Sequence, residues 1–253
     1  MKKSQLAVQL YTLRDYLKTA GAVDRAFAKI REIGYEAVQI SGVAAPLAAV
    51  KKAADDNGLV ICATHAATPD LLGNRAKVAD ELAMLGCKHT AFSCVSDFQI
   101  IDRGAVLEFA GEMEKAAQEL NQHGLTFSYH NHNMEFGKID GEYILDLIYA
   151  NAPHLLAEID TYWVQYGGCD PAEWIEKYAG RQVLFHLKDF RPLFFTATTA
   201  PVGTGNLKWQ EIIPAAEKAG AQWFIVEQDS CAKNPFDSLK DSYDYLMKNF
   251  VRG

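Results

Sequence analysis

The sequence predicts a (β/α)8 TIM barrel, and three observations lead to that prediction. Six amphipathic, helix-like segments end in Gly and are followed within a few residues by a β-branched or aromatic run. Including the opening run, eight strand-like runs occur at a spacing of roughly 30 residues, as expected for a βα repeat. The runs are short and almost continuously apolar, as in a parallel sheet covered on both faces. We therefore expect a single domain over residues 1–253, with eight parallel strands inside a ring of helices.

A turn residue marks the start of almost every strand-like run. The first run is the opening LAVQLY, and the sixth follows the turn formers Asn151 and Pro153. Gly adopts the left-handed conformation at a helix end at little cost, so the glycines before the other six runs mark αβ loops. These glycines are Gly34, Gly58, Gly86, Gly124, Gly180 and Gly220.

The helix-like segments carry their apolar residues on one stripe, as helices on the outside of a barrel do. The clearest are VDRAFAKIREI, AVLEFAGEMEKAAQEL and FDSLKDSYDYLMKNF. An open doubly wound sheet is the alternative, but it normally has fewer strands and a Gly-rich first turn, which QLYTLRDYL lacks. The longest segment without a pattern is 189–209, which we expect to be a long βα loop on the catalytic face, as in a lid.

Composition limits the classes of partner. The formal net charge of −7 argues against a duplex nucleic acid, which needs a basic face, and no segment reaches the ~20 apolar residues of a membrane span. The five scattered cysteines include no CxxC pair, and the first residues do not resemble a signal peptide. We expect a cytoplasmic protein that acts on a small molecule. The sequence leaves the oligomeric state open, with a homo-oligomer as one alternative.

Polar, metal-competent side chains stand where the last four strand-like runs end. His130 and His132 end the fifth run, Asp160 the sixth, His186 and Lys188 the seventh, and Glu227 the eighth. In a barrel these ends meet at the catalytic face, and burying so many ionisable groups without a counter-ion is costly. A bound divalent cation is the simplest compensation.

Several motifs resemble the sugar phosphate isomerase/epimerase group of the xylose-isomerase-like barrels. They are AVQLYTLRD, YHNHNMEF, EIDTYWVQYGG, FHLKDF, VGTGNLKW and IVEQD, in that order over essentially the whole chain. The resemblance implies one divalent metal held on strands five to eight, where the usual ligands are Glu, Asp, His and Glu. Asp160, His186 and Glu227 match the last three. The first position departs from the pattern, and we assign it to His130, with Glu135 as the alternative ligand.

The predicted chemistry is proton abstraction next to a carbonyl group, which gives an enediolate. Glu227 and His65 are the first candidates for the acid–base groups, followed by His132 and Glu135. Lys188 is expected to stabilise the developing negative charge. Mixed nitrogen and oxygen ligands suit Mn²⁺, Co²⁺, Fe²⁺ or Zn²⁺.

Four further residues are candidates for substrate binding. Gln9 ends the first strand-like run, and Trp163 follows Asp160, where it forms either a pocket floor or part of the core. The backbone N–H groups of Gly203 and Gly205 could hold a substrate oxyanion or phosphate, although a plain turn is equally compatible with VGTGNLKW.

Other functions share these features. With a His in place of one of the two family glutamates, one-base isomerisation or elimination gains over symmetric epimerisation, so a lyase or dehydratase acting on a keto-sugar or keto-glycoside is the first alternative. Endonuclease IV shares the superfamily, but the acidic charge and the few candidate ligands argue against DNA repair. A barrel that only binds a sugar is the third alternative.

Overall fold

The eight strand-like runs form a closed parallel barrel, which confirms the predicted fold class. The computed structural model describes residues 1–252, apart from the side chain of Asp97, so residue 253 of the predicted domain lies outside the described residues. The strands are β1 Leu6–Gln9, β2 Ala37–Ile40, β3 Val60–His65, β4 His89–Phe92, β5 Thr126–His130, β6 Leu156–Asp160, β7 Gln182–Leu187 and β8 Trp223–Val226. Parallel pairing of β1 with β8, with Val8 opposite Val226, closes the barrel.

Helices connect the strands on the outside of the barrel. They are α1 Ala20–Ile33, α2 Leu47–Asp56, α3 Thr68–Gly73, α4 Arg75–Leu85, α5 Arg103–Gln122, α6 Ile144–Asn151, α7 Thr161–Tyr166, α8 Pro171–Lys177, α9 Trp209–Ala219 and α10 Pro235–Asn249. The predicted stripes are buried: Val23, Phe27 and Ile30 on α1, for example, have no exposed surface. None of the helices in the described part of the chain has the length and hydropathy of a membrane span.

The turns before the strands have the predicted backbone conformation. The six glycines that mark the αβ loops all have positive φ, between 63° at Gly58 and 122° at Gly34. At Gly34 a side chain is also excluded by space, because a Cβ there would lie 2.4 Å from the Tyr243 hydroxyl on α10.

Segment 189–209, expected to be irregular, contains a β-hairpin. Strands Asp189–Leu193 and Thr196–Ala200 pair in antiparallel register directly after β7. Phe194 and Phe195 form its tip and are fully exposed. The sequence of the hairpin lacks the alternation of apolar and polar residues that marks strands, because much of the hairpin is exposed and does not bury an apolar face. Its turn also uses Phe194 at φ 42° where Gly or Asn is usual.

Candidate functional site

The strand order brings the polar strand ends to one face, because parallel strands in a barrel all point the same way. Asp160 on β6 stands in register with His186 on β7, and Glu158 on β6 stands in register with His130 on β5. Residues two apart on a strand face the same side, so Glu158 and Asp160 both point into the barrel, at successive depths. Both carboxylates are completely buried, as is the His186 ring.

Four side chains form a group suited to a metal ion. His130, Asp160, His186 and Glu227 each offer one donor atom, and these atoms all lie within 4.8 Å of one another. His186 Nδ1 lies 2.8 Å from Glu227 Oε2, while Asp160 Oδ2 lies 3.8 Å from His186 Nδ1 and 3.9 Å from His130 Nε2. Asp160 Oδ2 is buried, and Lys188, 2.9 Å away, is the one described cation within hydrogen-bonding distance of it, so the oxygen keeps a lone pair for a ligand.

Lys188 balances much of the negative charge. Its Nζ lies 2.9 Å from Asp160 Oδ2, 2.9 Å from Glu227 Oε2 and 3.0 Å from Asp229 Oδ2. Burial lowers the pKa of Lys188, but the three carboxylates outweigh it and hold that pKa well above its ordinary value. The side chain is therefore a permanent cation at the base of the site.

The two carboxylates that share Lys188 differ in acidity. Burial raises the pKa of Asp160 to about 6, against the attraction of Lys188. Burial also acts on Glu227, but Lys188 and His186 together bring its pKa below the ordinary range. Glu227 is the more acidic because it also lies within hydrogen-bonding distance of His186 Nδ1. The same contacts act on His186, where burial is outweighed by Glu158 and Glu227 and the pKa rises to about 10.

A cavity of about 270 Å³ opens over this group at the carboxyl ends of the strands. Five predicted site residues line it: His65, His130, His132, Lys188 and Glu227. Burial lowers the pKa of His132 to about 4, with Lys188 adding to the effect, and burial with the neighbouring histidines holds the pKa of His130 well below its ordinary value. Both rings are therefore neutral at pH 7, with one lone pair each. Tyr11, Ser41 and Asp229, strand-end residues to which the sequence assigned no role, also line the cavity.

A sequence model of the xylose isomerase-like TIM barrel matches residues 27–249, which is most of the chain. This chain belongs to the xylose isomerase-like TIM barrel family. Strand β1 precedes the match but closes the barrel. A comparison with curated protein sequences finds no significant match.

Solved structures of other proteins share the fold. A sugar phosphate isomerase/epimerase from Parabacteroides distasonis ATCC 8503 is 22% identical, with a TM-score of 0.83 over 100% of this chain and 96% of its own. A second from the same organism is 24% identical, with a TM-score of 0.83 over 98% and 99%. A xylose isomerase-like TIM barrel protein from Mycobacterium smegmatis, in complex with magnesium, is 12% identical, with a TM-score of 0.74 over 96% and 95%.

Within this family barrel, Glu135 lies away from the four-donor group. It is buried, accepts hydrogen bonds from the Tyr129 hydroxyl and from the backbone N–H of His132, and belongs to neither of the candidate ligand groups found among the described residues. Burial raises the pKa of Glu135. Its carboxylate fixes the turn that follows β5, so between the two predicted alternatives for the first ligand, the geometry favours His130.

The predicted contact of Gly203 and Gly205 with substrate requires correction. Both backbone N–H groups donate hydrogen bonds to Asp189 Oδ2, at 2.8 and 3.0 Å, and Trp209 Nε1 donates to the same atom. The turn therefore holds a carboxylate of its own chain. A Cβ on Gly205 would lie 2.4 Å from Asp189 Oδ1, so this close approach requires Gly.

Gln9 and Trp163 lie behind the cavity wall. Gln9 is buried and donates from Nε2 to Gln39 Oε1 at 2.9 Å, below the cavity. The Trp163 ring packs against His132, with centroids 5.1 Å apart, and Lys188 Nζ lies 5.5 Å from its centre. Among the described residues neither lines the cavity, so both support groups that do.

Sequence reasoning missed Glu158, which lies at the centre of the buried polar network. Oε1 accepts from Gln39 Nε2 at 2.7 Å, and Oε2 lies 2.7 Å from His65 Nε2. Burial raises the pKa of Glu158, but His186 and His65 outweigh it and keep that pKa well below the ordinary value. The signal was present: Glu158 is a charged residue inside the apolar run LLAEI, two positions before Asp160.

Proposed function

We propose that this protein is a divalent-metal-dependent sugar isomerase or epimerase that removes the proton next to a carbonyl group. The observation that carries the proposal is the four-donor group of His130, Asp160, His186 and Glu227 beside the 270 Å³ cavity. Pockets for drug-sized ligands begin at about 300 Å³, so the cavity suits a monosaccharide or a molecule of similar size.

The donor set fits one cation. Tetrahedral coordination at bond lengths of about 2.1 Å places donors about 3.4 Å apart. The separations of 2.8, 3.8 and 3.9 Å bracket that value. Two imidazoles and two carboxylates suit Mn²⁺, Co²⁺, Fe²⁺ or Zn²⁺. The magnesium in the Mycobacterium smegmatis neighbour adds Mg²⁺ to the metals that deserve testing.

The chain's own residues supply the proton transfers. When bound, the cation would polarise a carbonyl and its neighbouring hydroxyl, which acidifies the carbon between them. His132, neutral at pH 7, accepts the proton from that carbon, and Lys188 stabilises the negative charge that develops. The protonated His132 then returns the proton to the adjacent carbon for isomerisation, and His65, which lines the same cavity, would serve as the base on the opposite face for epimerisation. Glu227, tied to His186 and Lys188, is a better ligand than base.

One observation favours a lyase or dehydratase acting on a keto-sugar or keto-glycoside as a second candidate. A further cavity of about 250 Å³ shares Ser41 and His65 with the first. Its wall is mainly apolar and includes Val43, Leu47 and Leu82. A substrate with a leaving group could occupy both cavities, with the departing oxygen beside His65 at their junction.

The test is proton exchange in heavy water. Protein loaded with Mn²⁺ or Zn²⁺ is incubated with ketoses, aldoses, their phosphates and keto-glycosides, and deuterium uptake is followed by NMR. We expect uptake next to the carbonyl of at least one sugar, and at least a hundredfold slower uptake with Asp160→Ala. Deuterium on the adjacent carbon indicates an isomerase, inversion an epimerase, and release of a fragment a lyase. Equal uptake in both proteins, or none with any sugar, would refute the proposal.

A further inference from the structure

Glu158 lies directly behind the predicted metal ligands. It is completely buried on β6, two residues before Asp160 and one layer deeper in the barrel. Its Oε1 lies 3.3 Å from His186 Nε2, and its Oε2 lies 3.6 Å from His130 Nδ1. The opposite nitrogens, His186 Nδ1 and His130 Nε2, face Asp160. One carboxylate therefore stands behind two of the ligand rings, and Asp160 stands in front of them.

Hydrogen bonding transmits the effect of Glu158 to His186 through Gln39. An ionised carboxylate only accepts, so the Gln39 group 2.7 Å from Glu158 Oε1 has to be the amide Nε2. Gln39 Oε1 then faces the other way, where it accepts from Gln9 Nε2 at 2.9 Å and lies 2.6 Å from His186 Nε2. An oxygen at that position keeps a proton on His186 Nε2, so Nδ1 is the nitrogen that gives up its proton when a metal binds.

The same carboxylate acts directly on His65. Glu158 Oε2 lies 2.7 Å from His65 Nε2, so that nitrogen carries a proton and the lone pair of the ring lies on Nδ1. His65 lines the catalytic cavity. Glu158 thus fixes the orientation of a cavity histidine and of a ligand histidine at once.

We infer that Glu158 is the positioning residue of this site: through Gln39 and by direct contact it holds a proton on Nε2 of both His186 and His65, so that Nδ1 is the nitrogen of His186 that binds a metal ion. The inference rests on the proposed function for the metal. Metal-ligating histidines generally need such a partner on the second nitrogen, and its loss costs 10- to 100-fold in metal affinity.

Glu158→Gln tests the inference because it keeps the shape, removes the charge and replaces one acceptor oxygen by an NH₂ donor group. If the new amide nitrogen faces Gln39, the Gln39 amide turns over and presents its NH₂ to His186 Nε2. If it faces His65, the proton of that ring moves to Nδ1. We expect a 10- to 100-fold loss of Zn²⁺ affinity in competition titrations, or an Nδ1–H signal for His65 in ¹⁵N NMR of the histidine rings.

The decisive control exchanges the two side chains. In Glu158→Gln with Gln39→Glu, Glu at 39 accepts from Gln9, from His186 Nε2 and from the new amide, and the amide oxygen at 158 accepts from His65 Nε2. Every donor regains an acceptor, so Zn²⁺ affinity should return to within about threefold of the original protein, with both rings as Nε2–H tautomers. Unchanged Zn²⁺ affinity and tautomers in the single variant, or no recovery in the exchanged one, would overturn the inference.

Failure of the proposed function gives a different result. If the original protein binds none of the metals, the metal proposal fails, while the Nε2–H signal of His65 in metal-free protein still reports on Glu158. Circular dichroism and thermal unfolding identify a variant that has not folded, and the exchanged variant then decides, because its buried charge equals that of the original protein.

Discussion

Lys188 and Asp189 are neighbours in the chain, yet they serve two buried polar regions of opposite character. Asp189 accepts hydrogen bonds from the backbone N–H groups of Phe190, Gly203, Gly205 and Leu207 and from the Trp209 indole. Lys188 faces Asp160, Glu227 and Asp229, and in this second region His130 Nδ1 and His132 Nδ1 find no hydrogen-bond partner among the described residues. Buried polar groups are normally hydrogen-bonded. The region around Asp189, where the hydrogen bonding is complete, is therefore structural. The region around Lys188, where it is incomplete, is suited to a ligand.

The largest effect on turnover is expected for a substitution in the incomplete region around Lys188. Glu227→Gln removes a charge and a proposed metal ligand but keeps the shape, so turnover should fall at least a thousandfold, about 4 kcal/mol of transition-state stabilisation. The temperature of unfolding should fall only moderately, because Asp160 and Asp229 still neutralise Lys188. Steady-state kinetics and a thermal scan measure both effects. Asp56→Ala, which removes an exposed ion pair on α2, is the control that should leave both unchanged. Near-normal turnover in Glu227→Gln would show that Glu227 has no part in the chemistry.

A different outcome is expected in the complete region. Asp189→Asn presents an NH₂ group to several buried N–H donors, so the free energy of unfolding should fall by about 3 kcal/mol. Any loss of turnover should be smaller than that of Glu227→Gln, since Asp189 is not among the residues that line the cavity. Urea unfolding monitored by tryptophan fluorescence measures the change. If Asp189→Asn unfolds at the same urea concentration as the original protein, the five hydrogen bonds do not stabilise this loop.

Metal binding to the region around Lys188 should release protons from His186 and Asp160. The pKa of His186 is raised to about 10, so its ring is protonated at pH 7.5 and loses one proton when a metal binds. The pKa of Asp160 is raised to about 6, so below pH 6 this carboxyl also carries a proton that must leave. We expect about one proton released per Zn²⁺ at pH 7.5 and about two at pH 5, with affinity falling as the pH drops below 10 and falling more steeply below 6. Calorimetry in buffers of different ionisation enthalpy counts the protons. Equal counts at the two pH values would contradict the assignment of Asp160.

The smallest effect is expected at the exposed tip of the hairpin. Phe195 is fully exposed, so Phe195→Ser removes no buried surface, and the free energy of unfolding should change by less than about 0.5 kcal/mol. The monosaccharide reaction should also be unaffected. Side-by-side urea curves and kinetics test this. A large decrease in stability would mean that the tip is covered in solution.

The sequence was sufficient for the barrel because its signals are local and repeated. Gly at the end of a helix and a short apolar run are visible without tertiary contacts, and all eight strands followed. The four-donor group could also be found from the sequence, because the carboxyl ends of parallel barrel strands must lie at the same face. The direction of a side chain in a loop could not be predicted from the sequence. Glu135 and Asp189, for example, both accept hydrogen bonds from N–H groups of their own loops. Glu158 was overlooked because a charge inside an apolar run has meaning only once its partners across the barrel are known.

The layering of the barrel has a consequence for protein design. Below the residues that line the cavity lies a second tier in which Gln9, Gln39 and Glu158 are joined from β1 across to β6. A designer who transferred only His130, Asp160, His186 and Glu227 to another eight-stranded barrel would place them over an apolar plug, where nothing fixes the ring of His186. The transferable unit is therefore two tiers deep, and a barrel strand that hosts it needs polar residues at two successive inward positions, as Glu158 and Asp160 provide here.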